Sequence, residues 1–375
     1  MSSGGGSSSS TGLEGVEVAR TRLSHVDGEA GVLVIAGLHV EDLVERAQFE
    51  DACALLWDGA WPGAARREEV RRGLAGGRAE AFELLPGTGD ALGQPDAMDA
   101  LRTCAAHLRP GGDDRRDLVR LTGATAVFAA AWDRARRGLA PVAPDGSRGH
   151  AEDFLRMVVG QDPAKAAARG LDAYLVTVCD HGLNASTFTA RVVASTGSDL
   201  VSAVVAALGA LKGPLHGGAP GPVLDMLDAV QEPAAAAAWL ERKLAAKRRI
   251  MGMGHRIYRV RDPRAFVLER AVEQLERSGL STSRLALARA VERAAEGALA
   301  ARYPDRPLRT NVEFYTAVLL DAVGFPRQLF TPAFAVSRTA GWGAHVLEQR
   351  ETGRLIRPSS TYVGPVPERG MVPAA

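Results

Sequence analysis

Cysteine is nearly missing from this chain: Cys53, Cys104 and Cys179 are the only three in 375 residues, odd in number, far apart and set in apolar stretches. That excludes a disulfide framework and reads as small buried hydrophobes in a reduced compartment. An excess of either charge is missing too. The 45 basic and 44 acidic residues are interspersed and leave a net charge of +1, with no basic stripe to hold a nucleic acid. Lysine is scarce, four of those 45 against 41 arginines, so a lone arginine carries little information here. No apolar run reaches ~18 residues without a polar break, and the first residues lack the basic-then-apolar order of a secretory signal. The reading is a cytoplasmic protein with neither a membrane nor a nucleic-acid partner. GxSxG, GxxxxGK[ST], CxxC and HExxH are all absent, so hydrolase-elbow, P-loop and zinc chemistry lose their support and no metal site is expected. "GMGHRI" has two glycines but no preceding strand and no third glycine in phase, so it is not a dinucleotide fingerprint.

What is present is 46% hydrophobic residues, enough for one large core or two. The opening Gly/Ser tract, residues 1–11, can bury nothing and is expected to be disordered. Strand signals are confined to "VEVARTRLSHVDGEAGVLVIAG", where alternating segments flank Asp27-Gly28 and predict one small hairpin. Helical spacing dominates the rest. "HVEDLVERAQFEDACALLWDG" reads as one helical run, and the Ala/Ser/Gly-rich stretch over 184–210 predicts a long, well-buried central or interface helix. Beyond His216 the helices become shorter and charge-laced, and the apolar style returns near residue 325. The expectation is an all-α fold with a large domain (12–217 and 325–375) and a small domain (218–324), and with a cleft between them.

Five stretches carry residues suited to chemistry. In "ALKGPLHGGAPGPVLDML", His216 has glycines on its C-terminal side and a helix start close behind, which suits a proton donor and equally a tight helix corner. In "MGMGHRIYRVRDPRAF", Gly252 and Gly254 allow close backbone approach to a ligand, His255 sits in the loop, Asp262-Pro263 is an N-cap and N1 pair, and Arg264 follows in the first turn. A Gly-rich connector before a capped helix is the bland alternative. In "TNVEFYTAVLL", Asn311 can cap and Glu313 falls in the first turn, where the helix dipole favours a carboxylate; in a cleft that carboxylate could accept a proton. "VCDHGLNAS" brings His181, and "SRTAGWGAHVLEQRETGRLIRPSSTYVG" brings Arg338 and Arg357. Taken together, three histidines, one carboxylate and three arginines beside helix ends or glycine breaks suit a small dianion and proton transfer at carbon.

The order DHGLNAS, LKGPLHGGA, MGxGHRxYxxxDPRA, NVxFY, RTAGW-AHxxEQ and RLIRPSS resembles citrate synthase, in particular the short bacterial and archaeal form that includes 2-methylcitrate synthases. The resemblance runs from about Gly12 to Gly364. It implies an all-α homodimer with a small domain that closes over oxaloacetate and an acyl-CoA. The two condense, the thioester is hydrolysed, and no cofactor is permanently bound; acetyl-CoA would give citrate, a step of the tricarboxylic acid cycle. By the same resemblance His216 would hydrogen-bond the thioester carbonyl, His255 would polarise the ketone, and Glu313 would be the base. Arg264, Arg338 and His181 would hold oxaloacetate, Arg357 would reach in from the other subunit, and Met251, Gly252, Met253 and Gly254 would lie along CoA. Two departures stand out: Glu313 replaces the family's usual Asp, and "GGAPGP" replaces GGANE. A propionyl-CoA preference and a ligand-binding scaffold without turnover are the alternatives these departures raise.

Overall fold

A computed structural model of the chain describes residues 13, 15–216, 220–280 and 284–366. The Gly/Ser tract at 1–11 lies outside the described residues. Fifteen α-helices, four short 3-10 helices and one three-stranded sheet make up the regular structure among the described residues, so the chain is all-α apart from its start.

The expected hairpin is present as Ser24–Asp27 paired antiparallel with Val32–Ile35, and its turn spans 28–31, where Asp27 Oδ1 accepts from the N–H groups of Glu29 and Ala30. The two-residue strand Leu38–His39, which the sequence pattern does not signal, completes the sheet. The turn reaches across to the loop after His255, with Arg259 N–H donating to Gly28 O at 2.8 Å.

Two helical runs are shorter than their spacing predicts. The first breaks at Ala47-Gln48 into Val40–Arg46 and Phe49–Asp58, where Gln48 and Asp51 form a capping box. The 184–210 run is two helices, Ala185–Ser195 and Leu200–Leu211, because Gly197 takes φ +85° and Asp199 caps the second through Ser202 N–H at 2.8 Å. The two helices pack on each other. Residues buried from both are mostly small or β-branched, as the composition suggests.

The core is one contiguous cluster of apolar side chains running from Leu23 to Val346, with Cys53, Cys104 and Cys179 in it as free, buried thiols. Helix Asp114–Arg136 lies against Ala64–Leu84, and buried Arg78 of the latter pairs with Asp153 at the start of His150–Val159. In the charge-laced part, Ala236–Ala245 packs on Arg284–Arg302, and Pro220–Val230 and Pro263–Arg277 pack on Val312–Ala322. Helix Lys165–Val178 touches Pro263–Arg277, Val312–Ala322 and the 23-residue helix Phe330–Thr352, and so stands where the two helical styles meet. The last helix ends at Gly353, and an irregular tail follows.

Candidate active site

The 251–262 stretch is a loop folded back by its glycines. Gly252 has φ +73°, and a Cβ there would meet Phe314 at 2.8 Å, so both backbone conformation and space require glycine. The loop is stitched to residues 309–311: Gly254 N–H donates to Arg309 O (2.6 Å) and Asn311 N–H to Gly252 O (3.0 Å). Asn311 Oδ1 accepts from Glu313 N–H (3.0 Å) and caps Val312–Ala322, while its Nδ2 donates to Gly254 O (2.8 Å). Glu313 is thereby tied to the loop that carries His255. Asp262 performs the matching task for Arg264. Its Oδ1 accepts from Arg264 N–H (3.0 Å), and its two oxygens take Arg264 Nε (3.0 Å) and Nη2 (2.7 Å), a bidentate pair out of contact with water. Val312 N–H also donates to Asp262 Oδ2 (3.3 Å), joining the starts of the two helices.

His255 Nδ1 accepts from the N–H groups of Ile257 (3.0 Å) and Tyr258 (3.1 Å). Nδ1 therefore carries no proton, and the neutral ring keeps its hydrogen on Nε2. Burial and then the Arg264 charge push this ring down to about 4, so near neutral pH it is an uncharged N–H donor. His181 is buried beside it, the ring centroids 5.6 Å apart, and its Nε2 lies 3.1 Å from Tyr258 Oη. Burial and the charges of Arg264 and Arg338 keep His181 neutral as well.

The other wall is made where Phe330–Thr352 crosses the end of Lys165–Val178, just before His181. A Cβ on Gly341 would lie 2.3 Å from Cys179 O, so the crossing requires glycine there. The close approach lets Arg338 Nε donate to Val178 O (2.8 Å), with its guanidinium carbon 4.4 Å over the Phe334 ring. Arg338 Nη2 is buried and has no hydrogen-bond partner among the described residues. Burial brings Arg338 down to about 10, which still leaves it charged at neutral pH. An unpartnered buried guanidinium N–H is costly, and an anion at this point would satisfy it.

His216 follows helix Leu200–Leu211 and meets the start of Ala185–Ser195. Ser186 N–H donates to His216 Nε2 (3.3 Å), and Ser186 Oγ lies 2.8 Å from the same nitrogen. Ser186 Oγ is itself placed by Asn184 Oδ1 (2.8 Å) and by Trp342 Nε1–H (3.1 Å). A backbone N–H can only donate, so Nε2 accepts and the ring proton sits on Nδ1. Burial and Arg338 push His216 down to about 4. Gly217 and Gly218, on which its local freedom was argued, lie outside the described residues.

Glu313 departs from expectation. The helix dipole favours its ionised form, yet burial dominates and raises the carboxyl to about 7, against the opposing pull of Arg249 and Arg264. At neutral pH it is about half ionised. Arg357 is exposed on the tail, where it lines a cavity of about 680 Å³ with Phe188, Arg191 and Gln349, a cavity that none of the other six groups lines.

Several contributors were not singled out from sequence: Tyr258 against His181, Asp262 as the partner of Arg264, Ser186 behind His216, and Asp180 beside His181. Buried Asp180 accepts from Ser24 Oγ–H (2.6 Å) and lies 3.3 Å from His345 Nε2; despite burial, His345 and Arg338 hold it at about 2. All four stand inside or next to the quoted motifs, but spacing alone does not show which neighbour a side chain reaches.

A family model described as the citrate synthase C-terminal domain matches residues 12–359. The citrate synthase of Haloferax volcanii is 39% identical over 370 residues, covering 94% of this chain and 95% of that protein. A crystal structure of citrate synthase from Pyrobaculum aerophilum superposes with a TM-score of 0.84 at 33% identity, over 96% of this chain and 93% of that one. A structure of the Thermoplasma acidophilum citrate synthase as a ternary complex with carboxymethyl coenzyme A and oxaloacetate superposes with a TM-score of 0.81 at 31% identity, over 96% of this chain and 97% of that one.

Proposed function

This chain belongs to the citrate synthase family, an acyltransferase type that condenses an acyl-CoA with oxaloacetate, and we propose that the cluster of His181, His216, His255, Arg264, Glu313 and Arg338 is its condensing site. The observation that carries this reading is the paired protonation of two neutral histidines: His216 presents Nδ1–H and His255 presents Nε2–H, each fixed by backbone donors on the opposite ring nitrogen. Two oxygens become more negative in the reaction, the thioester carbonyl as the enol forms and the ketone as it is attacked. Each requires a fixed donor.

Glu313 takes a proton from the carbon next to the thioester carbonyl while His216 Nδ1–H stabilises the developing enol oxygen. The enol carbon then attacks the ketone carbon, the His255 Nε2–H hydrogen-bonds the ketone oxygen and stabilises its developing negative charge, and the proton taken up by Glu313 is available to neutralise the resulting alkoxide. Arg338, with its free Nη2, Arg264 and His181 hold the dianion, and hydrolysis of the thioester releases CoA. The CoA moiety lies along Met251, Gly252, Met253 and Gly254, a loop held in place by Phe314 and Leu308 packed against its two glycines. No permanently bound cofactor enters the scheme.

His181, Arg264 and Arg338 are buried, whereas His216, His255 and Glu313 are partly exposed. We assign the large domain to 12–217 and 325–375 and the small domain to 218–324, and oxaloacetate enters by their separation. His255, Arg264 and Glu313 belong to the small domain, and His181, His216 and Arg338 to the large one, so one substrate bridges both and its binding closes the cleft. Arg357, exposed on the tail of one chain, completes the site of a second chain in a homodimer. Among the described residues no helix is long and apolar enough to cross a membrane. The three free, buried thiols suit the reducing cytoplasm.

Mixing the protein with oxaloacetate, acetyl-CoA and a thiol reagent tests the reading: CoA release above background is expected, and none would overturn it. The ratio of kcat/KM for acetyl-CoA and propionyl-CoA decides whether the main product is citrate or 2-methylcitrate.

A further inference from the structure

Tyr174 is a buried group that the scheme above does not use. It lies in helix Lys165–Val178, fully out of contact with water, and its hydroxyl has no hydrogen-bond partner among the described residues. Buried hydroxyls are normally paired, and an orphaned one is a standing cost. A phenylalanine would fill the same space without it.

The position of the side chain explains the orphan. Its helix packs against the three helices that carry the charged groups of the site: Pro263–Arg277 with Arg264, Val312–Ala322 with Glu313, and Phe330–Thr352 with Arg338. Tyr174 stands one turn before Val178 on the same helix face, and it is the Val178 carbonyl that seats Arg338 Nε at 2.8 Å. The phenol senses Arg338, Glu313 and Arg264, and burial above all keeps its proton on. Two buried donors, Tyr174 Oη–H and Arg338 Nη2–H, thus border the same charged groups, and neither has an acceptor among the described residues. Tuning of Glu313 by this hydroxyl would require a hydrogen bond between them, and there is none.

We propose that Tyr174 is a further substrate-binding residue, its hydroxyl donating to a carboxylate oxygen of oxaloacetate beside Arg338. The proposal rests on the condensing-site reading and adds to it a donor that discriminates a dicarboxylate from a monocarboxylate ketone.

Tyr174→Phe removes one oxygen and keeps the ring. The measurements are calorimetric titration of oxaloacetate, steady-state KM values for oxaloacetate and acetyl-CoA, and the thermal midpoint of the free protein. A hydrogen bond to a charged group predicts a ~10–100-fold rise in the Kd and KM of oxaloacetate. At saturating oxaloacetate the KM of acetyl-CoA stays within about twofold. The thermal midpoint holds or rises, because the free protein loses no hydrogen bond. Unchanged oxaloacetate affinity in an active protein overturns this proposal alone. A lowered midpoint with equal loss of affinity for both substrates also overturns it, showing a structural role. A wild-type protein that releases no CoA overturns the condensing-site reading and this proposal with it.

Discussion

Glu313→Gln separates the two things this carboxyl does, and the structure sets the size of each. Burial raises the group from an ordinary 4.5 to about 7, so ionising it in the folded protein costs about 3 kcal/mol more than in the unfolded chain. The folded pKa lies above the unfolded one. Its contribution to stability is therefore fully present below about 4.5 and is lost as pH rises through about 7. A glutamine cannot ionise and escapes that loss, so at pH 8 the variant should be the more stable protein, by up to about 3 kcal/mol. As a positioned base, the same carboxyl is worth a factor of about 100 to 10,000 in kcat, which the variant forfeits. Wild-type kcat/KM should rise about tenfold per pH unit below 7 and level off above it, while the residual activity of the variant should lack this limb. His216 and His255 both titrate near 4 and add no limb in that window. Denaturant melts at pH 6 and pH 8 give the stability, and deuterium washout from the acyl methyl group of acetyl-CoA, beside a non-condensing oxaloacetate analogue, reports proton abstraction directly. Washout at the wild-type rate in the Gln variant, or a Gln variant less stable than wild type at pH 8, would refute the reasoning. Glu313→Asp withdraws the carboxylate by about one methylene, and displacement on the order of 1 Å is enough to cost about 100-fold in rate.

Three other outcomes follow from the geometry. Arg338→Lys loses the planar fork that reaches Val178 O and leaves Nη2 free for substrate, so the KM of oxaloacetate should rise at least about tenfold with the acetyl-CoA KM little changed; equal KM values would remove Arg338 from the site. Gly341→Ala drives a Cβ to 2.3 Å from Cys179 O and should cost about 1–3 kcal/mol, read as a lowered denaturant midpoint, with an unchanged midpoint counting against the tight crossing. Coexpressed Arg357→Ala and His216→Ala chains should regain part of the wild-type activity through mixed dimers; confirmed mixing without recovery would confine Arg357 to its own subunit or exclude it from the chemistry.

The sequence by itself determined the all-α class, the hairpin at the start, and the caps at Asn311 and Asp262, because each depends on a few residues acting on their own backbone. Gly252 and Gly254 were legible for the same reason, with φ +73° and +85°. It also carried six of the site's groups in motifs that resemble a known family. Where a break depended on one left-handed glycine and one capping aspartate, as at Gly197 and Asp199, the apolar spacing hid it, since both halves of the 184–210 run share the period of a single helix. Only the tertiary structure decided the protonation states. The dipole at the start of the Glu313 helix is a local property and predicted an ionised carboxylate. Desolvation is a property of everything packed around it, and it outweighed the dipole and the two arginines. The ring hydrogens of His216 and His255 were likewise fixed by backbone N–H groups from Ser186, Ile257 and Tyr258, the first of them 30 residues away in sequence. Tyr174 carried no signal in the sequence, because a sequence cannot show that a hydroxyl is buried without a partner. That depends on three other helices converging on it.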